Sequence, residues 1–122
     1  GVFLKFQPHP RAYGNFARFL GHYVRDGHVD TLASAVRRLS ALPADNFKLR
    51  DRGHLKQGYF ADVVVFDPAR IADHATYDAP RQFATGVKDV VVNGVEIVRD
   101  GASTGARPGR FVRGPGYVAA AH

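Results

Sequence analysis

Cysteine is absent from all 122 residues. That excludes a disulfide framework and any thiolate metal site, and it fits a reducing cytoplasm. Long apolar runs are absent too: nothing approaches the roughly 18 residues of a membrane span. No charged-then-apolar secretory leader opens the sequence, so neither a membrane partner nor export is expected. Clustered positive charge is a third absence. The net charge is +6, yet Arg11, Arg18, Arg25, Arg37, Arg38, Arg50, Arg52, Arg81 and Arg99 are scattered, with acids interspersed up to Asp100. Only the tail beyond Arg107 is basic without an acid. Nucleic-acid footprints concentrate on one face or helix, so this dispersion argues against nucleic acid as a partner.

The residues present describe a globular chain. Hydrophobic side chains make up 45% and charged ones 23%, a composition able to bury a core at the size of one ordinary domain. The sequence opens on the apolar GVFLKF with no initiator Met. The expectation is a cut end, with Gly1–Phe6 closing a strand. Gln7–Pro10 is held extended by its prolines.

Two helices follow. Phe16, Phe19, Leu20, Tyr23 and Val24 fall on one helical face between Tyr13 and Asp26, with Gly27 as the C-terminal turn. Leu32, Ala35, Val36, Leu39 and Leu42 repeat the pattern behind Asp30 as N-cap, and Pro43 is expected to stop that helix and open a short turn to Phe47.

The centre of the reading is Gly53–Asp67, GHLKQGYFADVVVFD. Gly53 and Gly58 suit positive φ. Val63–Phe66 is four residues of β-branched and aromatic character, expected to be a strand buried on both faces. Asp62 and Asp67 bracket it as turn caps. Pro68–Thr85 has no period and reads as a long loop with room for one helical turn. Val87–Val92 and Val95–Val98 flank Asn93-Gly94, the strongest short hairpin signal. Asp100-Gly101 ends the second strand, and a surface arm rich in Gly and Pro follows.

Chemistry-bearing groups are sparse. The histidines His9, His22, His28, His54, His74 and His122 show neither an i, i+4 pair nor a His-x-His pair, so no metal ligand is assigned. The serines lack a nucleophile elbow, and the glycines form no phosphate-binding loop. Arg11 differs. Two prolines stiffen the backbone before it, it stands at a helix entrance, and its planar fork matches a carboxylate. On these grounds alone a substrate carboxylate and a structural ion pair, for instance with Asp26, are equally open to it.

Four stretches resemble one family. GHLKQGYFADVVVFD resembles the G-x-(I/L)-x-x-G-x-x-A-D-(I/L/V)-V-(V/L)-x-D segment near the C-terminus of amidohydrolase-superfamily enzymes. Val87–Val98 resembles the V-x-x-V-x-V-N-G-x-x-V hairpin that follows it there. His9–Gly21 is similar to the H-P-R-x-(Y/W)-G-(T/A)-F-x-R-x-L-G stretch of N-acyl-D-amino-acid deacylases, with Asn15 replacing a small residue, and Thr104–Arg110 to their T-G-x-x-P-G-R end.

The resemblance implies an α+β segment closing a larger enzyme. Residues 1–50 would be the terminal helical segment of a (β/α)8 metal-dependent hydrolase barrel. Residues 51–101 would be strands and hairpin of a small composite β-sandwich, and 102–122 an extended arm. It implies hydrolysis of the amide of N-acyl-D-amino acids, with zinc held by upstream residues and a catalytic acid at or just before Gly1. No catalytic or metal-binding residue is expected in this segment. By the same resemblance Arg11 binds the substrate α-carboxylate, and His9 and Tyr13 are secondary substrate-binding candidates. The isolated chain is expected to be inactive. Its partners would be the upstream barrel and N-terminal strands, and its open strand edges favour a homodimer. Two alternatives stand beside this reading: another C–N hydrolase of the superfamily, and a stand-alone basic binding domain.

Overall fold

The computed structural model describes residues 5–118; the expected strand end at Gly1–Phe6 therefore lies largely outside the described residues, as does His122. Helices come first and an antiparallel sheet follows, which is the α+β order expected. Helix α1, Arg11–Arg18, runs without a break into a π-helical segment, Phe19–Asp26.

The buried stripe of this continuous helix differs from the expected one. Gly14, Ala17, Leu20, Gly21 and Val24 face inward, whereas Phe16 and Tyr23 are exposed. Size explains the difference. A Cβ on Gly14 would stand 2.8 Å from Cβ of Asp73 and one on Gly21 2.4 Å from the Ile71 carbonyl oxygen, so the helix presents its smallest residues to the loop beyond β1. A large side chain on that stripe would hold the loop off. The π-helical turns also shift the phase away from a 3.6-residue repeat. Their i→i+5 pattern ends with the Gly27 N–H donating to the His22 carbonyl at 2.9 Å. Gly27 itself stays right-handed, and the positive φ of the turn falls on His28.

Helix α2 spans Leu32–Leu39. Its N-cap is Thr31, one residue later than expected, with Oγ1 accepting from the Ser34 N–H at 3.2 Å. Asp30 supports the same turn from outside, accepting from the Thr31 N–H at 2.8 Å and the Ser34 hydroxyl at 3.0 Å. The helix breaks at Ser40 rather than at Pro43, and α3, Ala41–Asn46, carries Pro43 in its first turn. The proline ring would clash with the carbonyl four residues back, so the break comes one turn early. The Ser40 hydroxyl donates to the Val36 carbonyl there at 2.9 Å.

Four strands form one antiparallel meander in the order β1-β2-β3-β4: Val63–Phe66, Val87–Val92, Val95–Arg99 and Ala102–Ser103. Asn93 and Gly94 both have positive φ between β2 and β3, as a two-residue hairpin requires. Asp100 and Gly101 repeat this before β4, which occupies the first two residues of the stretch expected to be an arm.

Strand β1 is not buried on both faces as expected. It is an edge strand, and Val64 and Val65 are 56% and 46% exposed. Among the described residues nothing packs over those two side chains deeply enough to bury them.

Two assemblies hold the fold together. Ala17, Leu20, Val24, Ala35 and Ile71 form the core, with Leu39, Phe66, Ala84 and Val87 packed around it. Ile71 comes from the loop Pro68–Thr85, which is tethered at both ends. Asp67 Oδ1 accepts from the Ala69 N–H at 2.8 Å, the Ile71 N–H closes one helical turn on the Asp67 carbonyl at 2.9 Å, and Ala72 bridges Thr85.

The second assembly is polar. Arg52, only 13% exposed at its side chain, donates to Asp62 Oδ2 and, at 2.6 Å, to Asn93 Oδ1. It also lies over the Phe60 ring at 4.1 Å. Asp62 Oδ1 accepts from the Asn93 N–H at 2.8 Å, and the Asn93 amide donates to the Pro108 carbonyl at 2.8 Å. Asp62 therefore caps the β2–β3 turn across the sheet, where the sequence pointed to a cap at its own turn.

Candidate functional site

Pro8 and Pro10 deliver the chain to the first turn of α1, and Arg11 is the first residue of that helix. An open cleft of about 720 Å³ lies beside this entrance, and His9, Arg11, Arg18, Asp73 and Tyr77 all line it. His9 and Arg11, two of the expected site residues, are thus brought together. Tyr13, the third, turns away: its ring is tilted against Phe83 with centroids 5.7 Å apart.

The cleft holds two guanidinium groups in different states. Arg18 pairs with Asp73 at 3.3 Å and lies 5.9 Å from the centre of the Tyr23 ring. Tyr23 first, and then Asp73, raise its pKa above the ordinary arginine value. Arg11 is exposed, and its side chain has no carboxylate within ion-pair distance among the described residues. The structural ion pair with Asp26 weighed above does not form, because Asp26 pairs with its neighbour Arg25 at 2.7 Å. A fork of donors, pre-set on a helix entrance and facing a cleft, is able to take a carboxylate from solution in two parallel hydrogen bonds.

His9 is engaged through both ring nitrogens. Nδ1 accepts from the Arg11 backbone N–H at 3.1 Å, and Nε2 lies 3.1 Å from the Tyr77 hydroxyl. The side chain of Gln7 donates to the Tyr77 carbonyl at 2.7 Å, and Arg81 donates to the Phe6 carbonyl at 3.0 Å. The loop Pro68–Thr85 therefore clasps the Gln7–Arg11 segment. Tyr77 and Asp73 were missed in the sequence because this loop has no period. The one signal available was an aromatic, Tyr77, in a polar stretch.

The remaining histidines are dispersed. His54 bonds Asp45 at 2.8 Å and His74 bonds the Thr85 hydroxyl at 2.8 Å. Among the described residues no group of three or more His, Cys, Asp or Glu side chains is placed to hold a metal ion.

Comparison with known proteins agrees with the motif resemblance. A family model described as "Amidohydrolase family" matches residues 5–98. The D-aminoacylase of Alcaligenes xylosoxydans xylosoxydans is 48% identical over 106 residues, covering 87% of this chain and 22% of that protein. The N-acyl-D-glutamate deacylase of the same organism is 46% identical over 114 residues, covering 93% and 23%. Among solved structures, an N-acyl-D-glutamate deacylase from Bordetella bronchiseptica, complexed with zinc and a phosphonate mimic of the tetrahedral intermediate, superposes with a TM-score of 0.79. It is 47% identical, over 88% of this chain and 22% of that one. The chain spans about a fifth of the length of each relative it matches.

Proposed function

The chain belongs to the amidohydrolase family, and on that premise we propose that it is the C-terminal portion of a zinc-dependent deacylase that hydrolyses the amide bond of N-acyl-D-amino acids. In this reading the segment up to residue 50 closes the catalytic (β/α)8 barrel, 51–103 supply strands to a small composite β-sandwich, and an arm follows β4. Support comes from relatives named as acting on D-amino-acid derivatives, at 46–48% identity.

The observation that carries the reading is Arg11. It is a cleft guanidinium left without a carboxylate among the described residues, while its neighbour Arg18 is already engaged by Asp73. Arg11 binds the α-carboxylate of the substrate, which fixes the acyl group relative to the reacting centre. The described residues do not fit a metal. The zinc is therefore assigned to parts of the protein outside this segment, and no catalytic step is assigned to residues 5–118. The segment's share is binding and orientation, so the 122-residue chain alone does not catalyse.

The test is hydrolysis by the full gene product. N-acetyl-D-amino acids should be cleaved in preference to their L forms, and Arg11→Ala should raise KM and lower kcat/KM for them. An unchanged kcat/KM in Arg11→Ala would remove the carboxylate role. Deacylation by the purified 122-residue chain would overturn the assignment of chemistry to the rest of the protein.

A further inference from the structure

We propose that Tyr77 and His9 form a brace that sets the orientation of Arg11, making both of them positioning residues for carboxylate binding. The inference rests on the reading of Arg11 above and adds to it the groups through which that arginine is held.

The chemistry of His9 requires a particular arrangement. A ring nitrogen that accepts from a backbone amide carries no proton. Because Nδ1 accepts from the Arg11 N–H at 3.1 Å, the neutral imidazole has its proton on Nε2. Nε2–H then donates to the Tyr77 hydroxyl oxygen, 3.1 Å away. The two rings meet edge to face with centroids 5.1 Å apart. The Arg11 N–H thus fixes the tautomer, and the Tyr77 hydroxyl supplies the acceptor that this tautomer's Nε2–H requires.

The Arg11 N–H is one of the first-turn donors that a helix cannot satisfy internally. Pro10, at the N-cap position, offers no side-chain hydrogen bond. His9 does from one residue further out what a capping side chain would do, and the group it secures is the backbone of the residue that carries the guanidinium.

Core packing does not explain Tyr77. It is 73% exposed, so its ring contributes little buried area. Its main chain is nevertheless anchored by Gln7 at 2.7 Å, and it lies within a turn in which the Ala79 N–H donates to the Thr76 hydroxyl at 3.0 Å. An exposed side chain on a tethered backbone, bonded to the histidine that caps Arg11 and lining the same cleft, is placed to position.

The experiment uses the full gene product and compares kcat/KM for an N-acetyl-D-amino acid with that for its uncharged carboxamide. General damage lowers both values together, whereas a misdirected Arg11 lowers their ratio. Tyr77→Phe and His9→Gln should reduce the ratio roughly five- to tenfold, mainly through KM, as expected for loss of about one hydrogen bond. His9→Asn keeps an acceptor near the position of Nδ1 but loses the bond to Tyr77, so its ratio should fall no further than that of Tyr77→Phe. Arg11→Ala should abolish the discrimination. If Arg11→Ala abolishes it while Tyr77→Phe and His9→Gln do not change it, the brace is overturned and the carboxylate reading stands. If Arg11→Ala leaves the ratio unchanged, the carboxylate reading falls and the brace loses its purpose. Long-range proton–nitrogen NMR correlations on the chain give an independent readout. Protonation at Nε2 of neutral His9 is the expected result, and protonation at Nδ1 would overturn the brace whatever the kinetics.

Discussion

Gly21 and the carbonyl oxygen of Ile71 approach so closely that a Cβ on Gly21 would stand 2.4 Å from that oxygen. The same carbonyl accepts from Arg25 Nη1 at 2.7 Å. The helix that carries Arg11 and the loop that carries Tyr77 are therefore joined at backbone level, and the geometry of the cleft depends on that junction. Gly21→Ala must push the loop away or bend the helix. The expected loss is about 1–3 kcal/mol, the usual range for forcing an added methyl group into a packed site, read as a lowered Tm. Gly109→Ala is the control, since a Cβ there meets nothing within 4 Å, and its Tm should match the parent. Equal Tm values for both variants would show that the helix and loop can separate without cost.

Arg25 is itself held by Asp26, which gives the junction a pH dependence of known sign. The Arg25 guanidinium bonds both carboxylate oxygens, at 2.7 and 3.1 Å. That bonding holds the Asp26 carboxyl below its ordinary value, with smaller contributions from His22 and His28. A group whose folded pKa is depressed contributes stability above its unfolded value, about 3.9 for aspartate, and loses it as pH falls through the folded value. The pair is solvent-exposed, so the effect is small. The stability difference between the parent and Asp26→Asn should be constant above roughly pH 5 and shrink as pH falls below about 3.9. A difference that stays constant to lower pH would show that the ion pair does not contribute.

The Arg52 assembly gives a larger prediction. One guanidinium there serves Asp62 and Asn93, and Asn93 in turn reaches Pro108. Arg52→Ala removes two hydrogen bonds from one guanidinium, one of them to the charged Asp62, and a hydrogen bond between charged groups is worth more than the mean. The expected destabilisation is about 1–3 kcal/mol in urea unfolding. Asp62→Asn should fall within the same range, because it removes the charge that Arg52 meets. The double variant should destabilise by less than the sum of the two single ones, since both remove the same interaction. Strict additivity would mean that the two side chains act independently.

The local elements of this fold were legible in the sequence, and its long-range contacts were not. Asn93-Gly94 specified a hairpin because both residues must take positive φ, and few residues other than Asn and Gly do so readily. Arg11 was legible as a candidate because two prolines fix what precedes it. The buried stripe of α1 was misread because hydrophobic periodicity weights large side chains. This contact needs small ones, Gly14 and Gly21, where the loop comes close. Ile71 and Tyr77 could not be found by any period, since each acts from an irregular loop through a partner more than 40 residues away in sequence.

The misjudged burial of β1 leads to the last prediction. Val63–Phe66 has the composition of an interior strand, yet it pairs only with β2 and leaves Val64 and Val65 largely in solvent. An edge strand with an apolar exposed face is a template for pairing with another strand. In the family reading that partner is the set of N-terminal sandwich strands. For the 122-residue chain by itself the available partner is a second copy. Sedimentation should therefore show a concentration-dependent dimer. Val64→Lys, which places a charge on that face without touching the core, should shift it toward monomer while leaving Tm within about 1 kcal/mol equivalent of the parent. A monodisperse monomer for the parent chain at high concentration would mean that the edge is protected within the chain. A dimer unaffected by Val64→Lys would move the interface to another surface.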